Sequence, residues 1–314
     1  MLTVKETDAR RRQRGISIAV VTAVVSGFAV FVNGYGVRAW SEVATASTYT
    51  TFKNLVAAVV LVGGGVAVSR WRSSEGLQRP DNAAQWIRLS LVAIVGGSVP
   101  FLLFFEGLAR ASSGQAGFIH KTLIVWVGIL AVVFLKERIG PFHLLAIALL
   151  VWGQAVLIGG LSELSLGTGE LMMLAATMLW AAETIVAKRL LGALSAMTVG
   201  VARMAGGAVL LVVVGLLRGS FSDLGALQPH HIGWVLLTGA VLSAYVASWY
   251  MALARAQAID VTAVLVGGAL LTALLNTGIR GAQVPSLTGL TLVACGVAVA
   301  VAASWNRRRR TQFR

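Results

Sequence analysis

A small set of polar side chains interrupts otherwise apolar stretches of this sequence: Asn33, Lys53, Asn54, Glu106, His120, Lys121, Gln154, Glu183, Arg203, Asn276 and, near the end of its stretch, Arg280. Charge inside such a stretch is costly, so these residues face a cavity or a partner and mark a functional site. Adjacent His120 and Lys121 form a basic centre of the kind that holds a carboxylate or phosphate on a small molecule. Asn33 and Asn276 add polar binding groups, and the rings of Trp180 and Tyr245 suit stacking. Glu183 and Arg203 fall at similar depth and are expected to meet as a gating or structural ion pair. Lys53 and Lys121 could instead be paired internally, with Glu106 or Asn33 as the partners at matching depth. His120, whose ordinary pKa lies near ~6.5, and Glu183 are the candidate proton carriers.

The elements that position these groups follow from length and hydropathy. The chain has 314 residues, 57% hydrophobic and 12% charged, with a mean hydropathy of +0.81; soluble domains carry roughly 25% charge. Crossing the hydrocarbon core takes about 20 apolar residues. Ten such windows are predicted, at 16–36, 45–69, 84–107, 113–135, 141–160, 168–189, 196–217, 231–254, 260–281 and 285–305. Pro80, Pro141, Pro229 and Pro285 fall in or beside connections, whereas Pro100 lies inside the third span and predicts a kink there. The apolar stretch after the basic start is too long for a removable signal peptide and lacks a small-residue cleavage site.

With the N-terminus in the cytoplasm, 19 of the 26 Lys and Arg residues fall on the cytoplasmic side and four (Arg38, Arg110, Arg218, Arg280) outside, leaving Lys53, Lys121 and Arg203 within spans. This satisfies the positive-inside rule and predicts both termini cytoplasmic in a plasma (inner) membrane. The net charge of +14 is thereby read as topology and anionic-lipid contact, with no nucleic-acid partner.

The two halves repeat. A shift of 145 lays Leu108-Ala109-Arg110-Ala111 on Leu253-Ala254-Arg255-Ala256, and a shift of 150 lays Asn33, Arg38 and Lys53 on Glu183, Lys188 and Arg203. The expected fold is all-α integral membrane, ten transmembrane helices in two inverted five-helix repeats. The first repeat covers 16–160 and the second 168–305, between basic tails 1–15 and 306–314. Five spans per half force the second half to enter from the opposite face, the arrangement secondary transporters use for alternating access.

Other classes fit less well. Asp8, Asp81, Asp223 and Asp260 fall in loops or at a helix boundary, so no intramembrane aspartyl dyad forms, and there is neither an H-E-x-x-H motif nor a P-loop. Glycine pairs at 63–64, 96–97, 206–207 and 267–268 fit close helix crossings. His230-His231 lacks a third ligand, Cys295 stands alone, and no metal or cofactor is called for.

Leu135-Lys136-Glu137-Arg138 closing the fourth span, Gly153-Gln154 in the fifth, and the five-plus-five inverted spans resemble the EamA branch of the drug/metabolite transporter superfamily, from Ile16 to Trp305. The resemblance implies a central cavity lined mainly by spans 1, 3, 4, 6, 8 and 9, with spans 5 and 10 peripheral. It also implies export of amino acids, drugs or other metabolites. Two departures stand out: Ala282 occupies the counterpart of Glu137, and spans 4 and 9 lack the proline that often interrupts them in relatives. The expected function is a secondary active exporter, monomer or homodimer, of a small metabolite with an anionic group. Multidrug efflux is the alternative within the superfamily; an intramembrane enzyme or passive channel is the alternative outside it.

Overall fold

The computed structural model describes residues 2–72, 74–108, 110, 113–160, 167–222 and 224–310. Ala109, Ala111, Asp223 and Arg314, used above, lie outside the described residues. Ten helical segments follow in order: α1 (Leu2–Trp40), α2 (Ala46–Trp71), α3 (Ala83–Leu108), α4 (Ser113–Lys121 and Leu123–Leu135), α5 (Pro141–Leu157), α6 (Thr168–Leu190), α7 (Ala196–Leu217), α8 (Pro229–Leu253), α9 (Ala258–Arg280) and α10 (Leu287–Arg310). Among the described residues nine helices are long and apolar enough to span a bilayer; α5 is shorter, at 17 residues. The expected tails are partly helical, because α1 begins at Leu2 and α10 runs to Arg310. Below, the face holding both chain ends is the terminal face, and its counterpart the opposite face.

Packing obeys the repeat. Helix α1 runs along α8 and α9, and its counterpart α6 along α3 and α4; α2 meets α8 as α7 meets α3. The pairs α2–α7, α4–α9 and α5–α10 relate to themselves, and α5–α10 lies to one side. The register is visible at single residues. Helix α4 ends at Lys136 with φ 55°, and Glu137 N–H returns to Ala131 O at 3.1 Å. Helix α9 ends at Gly281 with φ 63°, and Ala282 N–H returns to Asn276 O at 3.1 Å. Every position differs by the 145-residue shift. At Lys136 a lysine occupies the left-handed conformation that glycine supplies at position 281.

Interruptions are also paired by that shift, at Thr122 in α4 and Gly267 in α9, so both helices break without proline. Helix α3 breaks at Ser98, two residues before Pro100, whose missing N–H weakens the ladder; Ser98 Oγ donates to the Ala93 and Ile94 carbonyls at 3.3 and 3.1 Å. Helix α7 carries a π-helical turn at Ala202–Gly206.

Close crossings use some of the expected glycines. A Cβ on Gly97 would stand 2.1 Å from Arg203 O and 2.9 Å from Gly207 Cα, and one on Gly268 would stand 2.6 Å from Ala23 O. Gly63 and Gly64 instead face open space.

Side chains fasten the loop between α8 and α9 at the terminal face. Glu137 accepts from Ala258 N–H at 2.8 Å and Ile259 N–H at 3.3 Å, filling the orphan donors at the start of α9. Lys188 donates to the Leu253 carbonyl and to Ala256 O at 2.6 Å; Arg11 donates to Ala254 O at 2.9 Å. Asp260 binds Arg12 at 2.8 Å and His143 at 3.0 Å. Burial pushes the Glu137 carboxyl above the usual carboxylate range, against the pull of the two amide donors and Lys188.

Gly97→Val should force α3 and α7 apart and lower stability by about 1–3 kcal/mol, whereas Gly63→Val should change it by no more than ~0.5 kcal/mol; thermal melts of the two variants in detergent check this. A raised Glu137 pKa means that the folded state binds its proton more tightly than the unfolded state. Stability contributed here is therefore lost as pH rises above about 4.5. Wild-type Tm relative to Glu137→Gln should fall as pH is raised towards neutrality; a pH-independent difference would contradict the shift.

Candidate functional site

Between the repeats lies a cavity of about 160 Å³ lined by α1 (Ser26, Ala29, Val30, Asn33), α3 (Phe101), α4 (His120, Leu123), α6 (Trp180, Glu183, Thr184), α7 (Arg203) and α8 (Leu242, Tyr245, Trp249). Helices α5 and α10 contribute nothing to it. Two corrections to the expected lining follow: α9 supplies no lining residue, and α7 supplies Arg203. Arg203 sits on the π-turn of α7, and such turns are frequent at functional sites.

Of the expected binding residues, His120, Trp180, Tyr245 and Asn33 line the cavity; Lys121 and Asn276 do not. The His120 ring sits 5.0 Å from Trp180 and 5.6 Å from Phe104, both edge-on, and its Nδ1 is buried without a hydrogen-bond partner. Trp180 donates its Nε1–H to Gly96 O at 3.0 Å, which fixes the indole against α3. Tyr245 stacks near Trp249, centroids 6.3 Å apart. Asn276 Oδ1 is buried and unpartnered elsewhere in the bundle.

The expected ion pairs are rearranged. Glu183 and Arg203 both flank Gly96, where a Cβ would meet Glu183 Cγ at 2.4 Å and Arg203 Nε at 3.3 Å. Among the described residues no direct ion pair joins them. Tyr250 intervenes, donating its hydroxyl to Glu183 Oε1 at 2.5 Å with its ring 6.0 Å from the Arg203 guanidinium. Arg203 is 6% exposed and its Nε has no acceptor. Tyr250 is not among the binding or ion-pair residues expected from the sequence. Its partnership depends on α6 and α8 meeting, which no spacing along the chain encodes.

Lys53 and Asn33 do meet, with Lys53 Nζ donating to Asn33 Oδ1 at 3.1 Å and lying 5.5 Å from the Phe105 ring and 5.6 Å from the Tyr49 ring. Tyr49 hydroxyl in turn donates to Thr238 Oγ1 at 2.7 Å. Glu106 pairs with neither lysine. It binds Arg110 and Arg218, each at 3.0 Å, because the last turn of α3 carries it to the opposite face. Its side chain is 33% exposed there, so the pairs are solvent-screened. His231 turns Nδ1 onto its own Gln228 N–H at 3.0 Å, and no group of three potential metal ligands occurs among the described residues.

This arrangement gathers groups of several chemistries around one small cavity. It has a cation and a carboxylate on adjoining walls, an amide and an imidazole further along, and aromatic faces between them.

The model of the EamA-like transporter family matches residues 13–159 and again residues 167–304. No curated protein matches the chain. A solved crystal structure is 17% identical to it, covers 93% of this chain and 98% of its own, and superposes with a TM-score of 0.72, a likeness of fold. Ten helices in two matched repeats have a cavity of mixed polar and aromatic lining at their interface, and with the family match over both repeats the chain belongs to the EamA-like transporters of the drug/metabolite transporter superfamily.

Proposed function

We propose that this transporter is a secondary active exporter of small carboxylate-bearing metabolites, amino acids foremost, moving them by alternating access across the plasma membrane with both termini in the cytoplasm. The observation that carries the reading is Arg203: a buried cation in the cavity wall with an unpartnered Nε and no direct ion pair. A guanidinium in that setting is best satisfied by a carboxylate, which accepts two of its N–H groups at once. Glu183, on the adjoining wall, would receive an ammonium group, and the Trp180, Phe101 and Tyr245 rings would receive the remainder. A zwitterion thus satisfies both charges where a simple cation or anion satisfies one.

Size supports a metabolite over a drug. Drug-sized ligands occupy pockets of roughly 300–1,000 Å³, and this one holds about 160 Å³. Asn33, tied to Lys53, would read a polar substituent from α1. Glu183 and His120 are the lining groups through which proton coupling would run, one exchanging a proton for substrate and the other carrying one along the wall. In this reading the fastened α8–α9 loop closes the terminal face, and it must release for cytoplasmic loading.

Proteoliposomes containing the protein should exchange labelled amino acids, faster with an imposed pH gradient. Arg203→Gln should cut uptake at least tenfold, the equivalent of one charge-assisted hydrogen bond. Equal uptake by wild type and Arg203→Gln, or transport of lipophilic cations alone, would remove the basis for a carboxylate substrate. Tyr250→Phe deletes the donor that orients Glu183 and should raise KM about tenfold for amino acids while leaving KM for substrates lacking an amine within twofold; the paired KM values separate substrate orientation from general damage.

A further inference from the structure

A second cavity, of about 400 Å³, opens at the terminal face between the start of α1, the end of α6 and the α8–α9 loop, and shares no lining residue with the central one. Its wall carries Arg11, Arg12, Lys188 and Arg255, and no carboxylate is among its lining residues. Each base is held in place: Arg11 by Ala254 O at 2.9 Å, Lys188 by Ala256 O at 2.6 Å, Arg255 by Met251 O at 2.9 Å. Carbonyl oxygens fix these groups but cancel none of their charge. Among the described residues only Arg12 has a direct counter-ion, Asp260 at 2.8 Å, and its Nε is buried with no partner. Glu137 and Asp260 lie close enough to attract Lys188, but Glu137 has both oxygens on α9 amides and Asp260 is bound to Arg12 and His143.

Like charges gathered in one cavity repel, and an anion between them reverses the sign of that term. We propose that this cavity is an anion site that takes a phosphate group, supplied either by an anionic lipid head group or by soluble phosphate. Three arginines present planar forks with N–H groups to spare, the geometry that grips phosphate oxygens two at a time. The volume exceeds what a lone carboxylate fills. The site also lies between helices on the face where basic clusters meet anionic head groups. Because its bases come from α1, α6 and the α8–α9 loop, a bound phosphate bridges the elements that must separate when the terminal face opens. Occupancy therefore favours the closed terminal face.

The test uses the full-length protein in phosphatidylcholine nanodiscs, with melting followed by tryptophan fluorescence. One arm titrates inorganic phosphate, and the other replaces part of the phosphatidylcholine with phosphatidylglycerol in phosphate-free buffer. At least one arm should raise Tm by about 2–4 °C. A response to phosphate alone identifies a soluble ligand, and a response to phosphatidylglycerol alone identifies a head group. The rise should vanish in Arg11→Gln/Arg255→Gln. It should persist in Arg70→Gln/Arg79→Gln, which removes equal charge from the same face outside the cavity, and in Arg203→Gln. Should the first double variant fail to fold, each of its single substitutions is read in the same way. No rise in either arm, an undiminished rise without Arg11 and Arg255, loss of the rise in the Arg70/Arg79 control, or loss in Arg203→Gln would each overturn the proposal.

Discussion

The carboxylate of Glu137 seated on the first amides of α9 is the contact that joins the α4–α5 corner of one repeat to the α8–α9 loop of the other. A helix start leaves amide donors unsatisfied, and in a low-dielectric setting each costs more than at a wet surface. Glu137 supplies the acceptor from another repeat, 121 residues away in sequence. It reaches that position only because Lys136 adopts a left-handed conformation, turning the chain sharply after α4. The α4–α5 corner is thus fixed to the α8–α9 loop, and Lys188, Arg11 and the Arg12–Asp260–His143 cluster fasten the same loop from α6, α1 and α5.

The repeats copy this turn but not its chemistry. Gly281 and Ala282 reproduce the backbone of Lys136 and Glu137 at the opposite face, and an alanine methyl cannot cap a helix. Other contacts join the helices at that face. Arg280 stacks 4.0 Å from the Tyr35 ring centroid and donates to Phe31 O at 3.3 Å, while Glu106 links to Arg110 and Arg218 in partly solvated pairs. The two faces are thus held by different side-chain contacts, with a carboxylate on helix-start amides at one and none at the matching turn of the other.

Between the faces, the cavity is shaped by how closely helices approach. Gly97 against Gly207 lets α3 and α7 touch backbone to backbone, which brings the π-turn and Arg203 up to Gly96 and Glu183. Two opposite charges then share a wall without pairing, because Tyr250 takes the carboxylate. That leaves Arg203 in the cavity wall with its Nε buried and unpartnered.

The sequence by itself determined the ten helical segments, the inverted repeat and the family, because hydropathy and loop charge act locally and need no partner. It also singled out the buried polar residues, since charge in an apolar run is conspicuous wherever the chain goes. Pairings were another matter. Glu106 turned to Arg110 and Arg218 rather than to a lysine, Glu183 bonded Tyr250 rather than Arg203, Lys121 stayed off the cavity wall, and α7 replaced α9 in the lining. Each depends on which face a helix turns to its neighbour, a rotation of a fraction of a turn set by glycine contacts, helix breaks and a π-turn. Only the packed bundle fixes those rotations, so only the tertiary structure decided which buried charges meet and which are left open.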